Sequence, residues 1–204
     1  MKKYILFISL SVVMLITSCT KNDNHNSVAP TISINQDSEY ANTFKELNLG
    51  ILFEFNFYLP NADKRWVNLW VERYKEGNKD PRPLTELSYG SSPKEVTQGR
   101  LGFGMINPNL NDTSVFLFAP GVSSPPSLIE KELNPNIKIS TWDYAFGQDE
   151  VELELGETYI LAAYRETERN SIKMIDLQAK DSVDQMIKRD DMVLLLKIKV
   201  QENP

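Results

Sequence analysis

Ile51-Leu52-Phe53-Glu54-Phe55-Asn56-Phe57-Tyr58-Leu59 is the stretch that decides the fold. Its odd-numbered positions are all large and apolar, whereas Glu54, Asn56 and Tyr58 carry polar atoms between them. Successive side chains of a strand point to opposite faces, so this period of two describes a strand with one face on a core. Pro60-Asn61-Ala62-Asp63 follows it with residues that turn the chain.

Working outward, Trp66 to Tyr74 is a second strand, ended by Glu76-Gly77-Asn78-Lys79-Asp80-Pro81. Shorter strands are expected at Leu84–Tyr89, Arg100–Ile106, Val115–Phe118, Ile137–Trp142, Val151–Leu155, Thr158–Tyr164 and Val193–Val200. Val151, Leu153 and Leu155 alternate with Glu152 and Glu154, and Gly156-Glu157 then predicts a hairpin into the next strand. Two helices are expected: Ser38 to Leu47, and a second from a cap at Asp181 through Arg189. The latter sets Val183, Met186 and Ile187 on one side. Many short strands divided by Pro, Gly, Asn and Asp, with no helices alternating between them, predict an all-β chain with minor α. The expected architecture is an antiparallel β-sandwich, immunoglobulin-like, filling residues 31–204 as a single domain with the helices as peripheral covers.

The N-terminus reads differently. Lys2 and Lys3 precede a hydrophobic run from Tyr4 to Ile16, then Thr17, Ser18 and Cys19. This is the layout of a secretory signal, and a run of about 13 residues, broken only by Ser9 and Ser11, falls short of the roughly 20 that span a bilayer. Ile16-Thr17-Ser18-Cys19 resembles the lipobox of bacterial lipoproteins. The resemblance covers about a tenth of the chain. It implies cleavage of residues 1–18 and a diacylglyceryl group on Cys19, and hence a chain held outside the cytoplasm on the cell membrane or outer membrane. Several acyl chains hold stably where one binds reversibly. Residues 19–30 are then the lipidated cysteine and an Asn-rich tether ending at Pro30, with a root-mean-square span of about 20 Å if it behaves as a coil.

The formal net charge is −6, and loss of Lys2 and Lys3 with the signal takes it to about −8. With no run of basic residues, this argues against nucleic acid as a partner. Cys19 is the single cysteine and His25 the single histidine, so residues 31–204 contain neither. A Ser-His-Asp triad, a Cys-His dyad and thiolate or imidazole zinc sites are thereby excluded from that domain. Gly102-Phe103-Gly104 starts like a dinucleotide fingerprint but lacks its third glycine and lies inside a strand, where glycines serve close packing or a bulge. The oxygen-rich Asn107-Pro108-Asn109-Leu110-Asn111-Asp112 lacks the ligand spacing of a calcium loop and reads as a turn. No motif calls for a cofactor or a metal.

Carboxylates remain as acid–base candidates: Glu54 and Glu72 on neighbouring strands, or Asp143. Alternation with apolar residues gives the simpler expectation that Glu54, Glu152 and Glu154 face water. The aromatic residues are more suggestive. Along Trp66–Tyr74, Val67, Leu69 and Val71 share one face, and Trp66, Asn68, Trp70, Glu72 and Tyr74 share the other. Rings about 7 Å apart or twice that, beside polar groups, suit stacking on sugars; covered core aromatics are the alternative. Trp142, Tyr144 and Phe146 repeat the spacing.

These features rank a lipid-anchored, non-catalytic domain binding a glycan or protein first. A structural or inhibitor-type envelope protein comes second and a carboxylate-dependent glycan hydrolase third. Cys19→Ala is expected to leave the chain uncleaved by lipoprotein signal peptidase and without a lipid label. Unchanged acyl labelling and membrane retention of that variant count against the assignment.

Overall fold

Two long strands with one apolar face each cannot both stay in water, and here they belong to two sheets that close on a shared core. The computed structural model describes residues 29–35, 37–108, 112–129 and 136–203. Cys19 and all of the expected tether except Ala29 and Pro30 lie outside the described residues. One sheet runs in the order β11 (Val151–Glu152), β1 (Thr31–Ile34), β2 (Gly50–Pro60), β6 (Val96–Ile106), β7 (Ser114–Ala119) and β8 (Val122–Ser123), with β9 (Ser127–Leu128) also on β7. The other runs β10 (Ile139–Tyr144), β12 (Thr158–Thr167), β13 (Met192–Glu202), β3 (Arg65–Lys75) and β4 (Asn78–Lys79), with β5 (Thr85–Gly90) also on β3. The pairings are antiparallel throughout. The chain is therefore mostly antiparallel β in two sheets, as an all-β sandwich requires.

The alternation read from the sequence sets the core. Ile51, Phe53, Phe55, Phe57 and Leu59 on β2 are buried with Leu101, Phe103 and Met105 on β6. From the second sheet, Val67, Leu69 and Val71 on β3 and Leu194, Leu196, Ile198 and Val200 on β13 join the same cluster. Each such side chain contributes about 1.5–3 kcal/mol by leaving water. On β12 the register slips between Ile160 and Ala162, so Leu161 and Ala162 both enter the core, as at a bulge.

The helices cover outer faces. Helix α1 (Glu39–Glu46) begins where the Ser38 hydroxyl accepts from the Ala41 N–H at 2.9 Å. It buries no residue fully and leans on the first sheet through Phe44, whose ring centre is 6.0 Å from that of Phe116. Helix α2 (Lys180–Arg189) lays Val183 and Met186 on Ala163, Val193 and Leu195 of the second sheet. Its N-cap is Ala179, so Asp181 sits inside the first turn rather than at the cap. There its charge still complements the helix dipole.

Three further expectations are corrected. β2 and β3 follow one another in the chain yet lie in different sheets, so Glu54 and Glu72 are not on neighbouring strands. Val151–Glu152 pairs with β1 across the first sheet while Thr158–Thr167 lies in the second, so the segment between them is a crossing and not a hairpin turn. The Leu153 N–H is taken by the Pro30 carbonyl and the Gly156 N–H by that of Val200, which ties each end of the crossing to a different sheet. The strand expected from Ile137 begins at Ile139 and continues through Tyr144. β1 itself carried no separate expectation.

Gly102 and Gly104 explain themselves by what lies on them. Cross-strand register places Gly104 beside Phe116 and Gly102 beside Phe118. A Cβ on Gly104 would stand 2.2 Å from the Phe116 ring, so the ring occupies the place of a missing side chain. Gly104→Ala is expected to destabilise by about 1–3 kcal/mol through this overlap. The loss should be smaller in a Phe116→Ala background, with a coupling above about 0.5 kcal/mol in a urea-melt double-mutant cycle. Strict additivity counts against the ring being what excludes the Cβ.

Candidate functional site

β10 is the edge strand of the second sheet, and its Ser140, Trp142 and Tyr144 point toward the first sheet. Only the deeper part of this row packs on rings of the core. Tyr144 meets Phe53 and Phe55 edge-on, with ring centres 5.4 and 5.3 Å apart, and Phe146 beyond it is buried in the core. Trp142 has no such cover and stays 52% exposed. The result is an open cleft of about 520 Å³ between the edge strand β10, the start of β2 and α1, within the range of about 300–1,000 Å³ typical of small-ligand sites. Trp142, Tyr144, Ser140 and Tyr164 form one wall. Ala41, Asn42, Lys45 and Asn48 of α1 and its exit form the other, and Gly50, Ile51, Leu52 and Pro108 complete the lining.

The polar groups of the first wall are joined to one another. Ser140 hydrogen-bonds the Tyr164 side chain, and the Tyr164 hydroxyl donates to Glu166 Oε1 at 2.7 Å. Burial, with the adjacent Glu166 charge, pushes the Tyr164 phenol well above its ordinary pKa, and burial also raises Tyr144. Both phenols are thus neutral hydrogen-bonding groups at physiological pH. An aromatic wall facing amides and a lysine offers stacking on one side and polar contacts on the other.

The second aromatic row lies on the outer face of the second sheet. Trp66, Asn68, Trp70 and Tyr74 are all half-buried there, opposite the fully buried Val67, Leu69 and Val71. The Trp66 ring lies across Gly90 of β5, and Tyr74 is packed into the cluster under α2. Asn68 Oδ1 accepts from the Ser88 hydroxyl at 2.8 Å. A shallow hollow of about 360 Å³ beside Trp70 is lined also by Asn68, Glu86, Ser88, Lys199 and Gln201.

Glu72 organises that face and is 7% exposed. Its carboxylate accepts from Trp70 Nε1 at 3.2 Å, the Tyr74 hydroxyl at 2.7 Å, Lys79 Nζ at 2.7 Å and Lys197 Nζ at 2.8 Å. Burial works to raise its pKa, but the bonds from Lys197, Lys79, Tyr74 and Trp70 outweigh it and hold the carboxyl at about 2. Such a group stays ionised and is suited to holding the strand face rather than to donating a proton.

The other carboxylates separate. Glu152 and Glu154 face water as expected, but Glu54 does not: it is 0% exposed. Its outer-face position is covered because Asn35 Nδ2 donates to it and Arg100 stands 3.7 Å away, with the Arg100 guanidinium 4.8 Å from the centre of the Tyr40 ring. Glu54 thus occupies the outer face of the first sheet and Glu72 that of the second. Asp143 faces away from the cleft, 3.5 Å from the buried Arg165, whose Nε also bonds Asp190 at 2.8 Å. Among the described residues no three His, Cys, Asp or Glu side chains form a metal-holding group. No helix among them is long and apolar enough to cross a membrane.

The structure therefore divides the residues singled out from sequence into two places: Trp142 and Tyr144 in the cleft, and Trp66, Asn68, Trp70 and Tyr74 on the far face of the same sheet. Sequence reasoning missed Tyr164 and Ser140, although both follow from the parity of their strands. It also missed Asn42, Lys45 and Asn48, for which only the tertiary position of α1 gives a signal. Comparison with known proteins found no matching family model, no matching curated protein and no matching solved structure.

The Glu72 arrangement has a measurable pH signature. Its folded pKa of about 2 lies below the ordinary 4.5, so the unfolded chain binds the extra proton between these values and stability falls as pH drops through that window. Glu72→Gln is expected to lose on the order of 2–3 kcal/mol at pH 7. Urea melts should show that difference shrinking toward pH 2. A difference of constant size from pH 7 to pH 2 contradicts the linkage.

Proposed function

We propose that this chain is a non-catalytic binding module, anchored outside the cytoplasm through lipid on Cys19, that seats a sugar ring in the cleft between β10 and α1. The observation that carries this reading is Trp142: an indole half in water at the mouth of a preformed cleft, with Tyr144 and Tyr164 behind it. An exposed indole gains by stacking on the apolar face of a ring, while its surroundings supply hydrogen bonds to hydroxyls. The lipobox resemblance of Ile16-Thr17-Ser18-Cys19 supports the membrane as the site of anchorage, and the absence of His and Cys from residues 31–204 supports binding over catalysis. The acidic net charge supports a partner other than nucleic acid. We also propose the immunoglobulin-like class for the two sheets, which the repeated crossing of the chain between them supports.

The cleft is favoured over the Trp66–Trp70 face because the Trp70 N–H is already given to Glu72 and Asn68 already accepts from Ser88. A glycan array and an envelope-polysaccharide pull-down compare Trp142→Ala and Trp70→Ala with wild type. Retention is expected to fall at least about tenfold for Trp142→Ala, in line with about 1.5 kcal/mol or more for a lost aromatic contact, and to persist for Trp70→Ala. The reverse pattern moves the site to the outer face. Equal retention by all three proteins removes both aromatic rows as the binding surface.

A further inference from the structure

Resting on the reading that the cleft seats a sugar, we infer that its ligand is an acidic sugar, stacked on Trp142 with its carboxylate paired to Lys45. Lys45 is the one charged side chain among the described residues lining the cleft. It lies on α1 three residues after Asn42 and four after Ala41, so these share one helix face and present a cation beside an amide and a small residue. Its ammonium is exposed and makes no ion pair with any described residue, in contrast to Lys79, Lys180 and Lys197. Glu166, behind Tyr164 on the opposite wall, is not part of the lining, and its Oε1 takes the Tyr164 hydroxyl.

The setting gives this lysine its selectivity. A chain of net charge −6 repels anions generally, so a cation in an aromatic-walled cleft, with no ion-pair partner among the described residues, is a local exception to the field of the molecule. A carboxylate on a ring stacked against Trp142 can reach Lys45 on the facing wall, and hydroxyls on the same ring can meet Asn42, Asn48 and Ser140. Placement in the last turn of α1 also favours a lysine through the helix dipole. That effect concerns the stability of α1 and predicts no preference among ligands, so the two roles have different readouts.

Ligand-detected NMR titrations of the full-length chain in detergent, using methyl hexosides paired with their methyl uronides at pH 7, test the inference. Wild type is expected to bind the uronide about two- to fivefold more tightly at low salt, the range an exposed ion pair supplies. The preference should shrink in about 0.5 M salt. Lys45→Gln should bring the uronide-to-hexoside ratio to one, and Trp142→Ala should weaken both sugars together. Equal binding of hexoside and uronide by wild type, with both weakened by Trp142→Ala, overturns the acidic specificity and leaves the cleft reading standing. Binding of both sugars that is indifferent to Trp142→Ala, or no binding of either, overturns the cleft reading as well.

Discussion

The inward faces of two eleven-residue ladders pack against each other at the centre of one core. β2 pairs with β6 from Gly50 to Pro60 without a slip, and β3 pairs with β13 from Arg65 to Lys75 in the same way. Neither ladder could stand alone in water, since each exposes a continuous apolar stripe on one side. Their contact fixes which way every other side chain on these four strands points. It leaves the outer faces to be finished by helices and by the Glu72 and Glu54 groups.

The cleft is a consequence of where that contact runs out. Tyr144 is still within reach of Phe53 and Phe55, but Trp142, two residues nearer the strand's start, is not. The closing element at this edge is α1, which contributes no fully buried residue of its own. A short helix leaning on the sheet through Phe44 and Tyr40 gives a wall without filling the space between the layers. The site thus owes its floor to the core and its openness to an incomplete edge, a common location for binding in a layered fold.

Which faces of the strands meet the core was legible wherever one face was strictly apolar. Ile51 through Leu59 and Val67 through Val71 read correctly because period two is a local property of the chain. Helix α1 read correctly because Ser38 caps it locally, whereas the α2 boundary failed where Ala179, which offers no capping side chain, takes the cap position. Strand partners were not legible. The choice between a hairpin and a crossing after Glu152 depends on which sheet needs an edge covered, a long-range matter that Gly156 does not report. Glu54 shows the same limit: alternation places it on the outer face, but its burial depends on Asn35, Arg100 and Tyr40 arriving from three other segments. For the site, the shared parity of Trp142 and Tyr144 was visible. That their row faces inward, and that Lys45 stands opposite, belongs to the tertiary structure.

β1 enters the first sheet between two neighbours, with four residue pairs to β2 on one side and two to β11 on the other, and Pro30 just before it accepts from Leu153. Any pull on the residues preceding Thr31 is therefore delivered along a strand clamped on both flanks, in a short ladder and not at a loose end. Such a load is shared between β2, which leads directly into the core, and the segment that crosses to the second sheet. In mechanical terms a load entering at Thr31 is carried by shear across two strand pairings of the first sheet, and α1, the wall of the cleft, follows just beyond them.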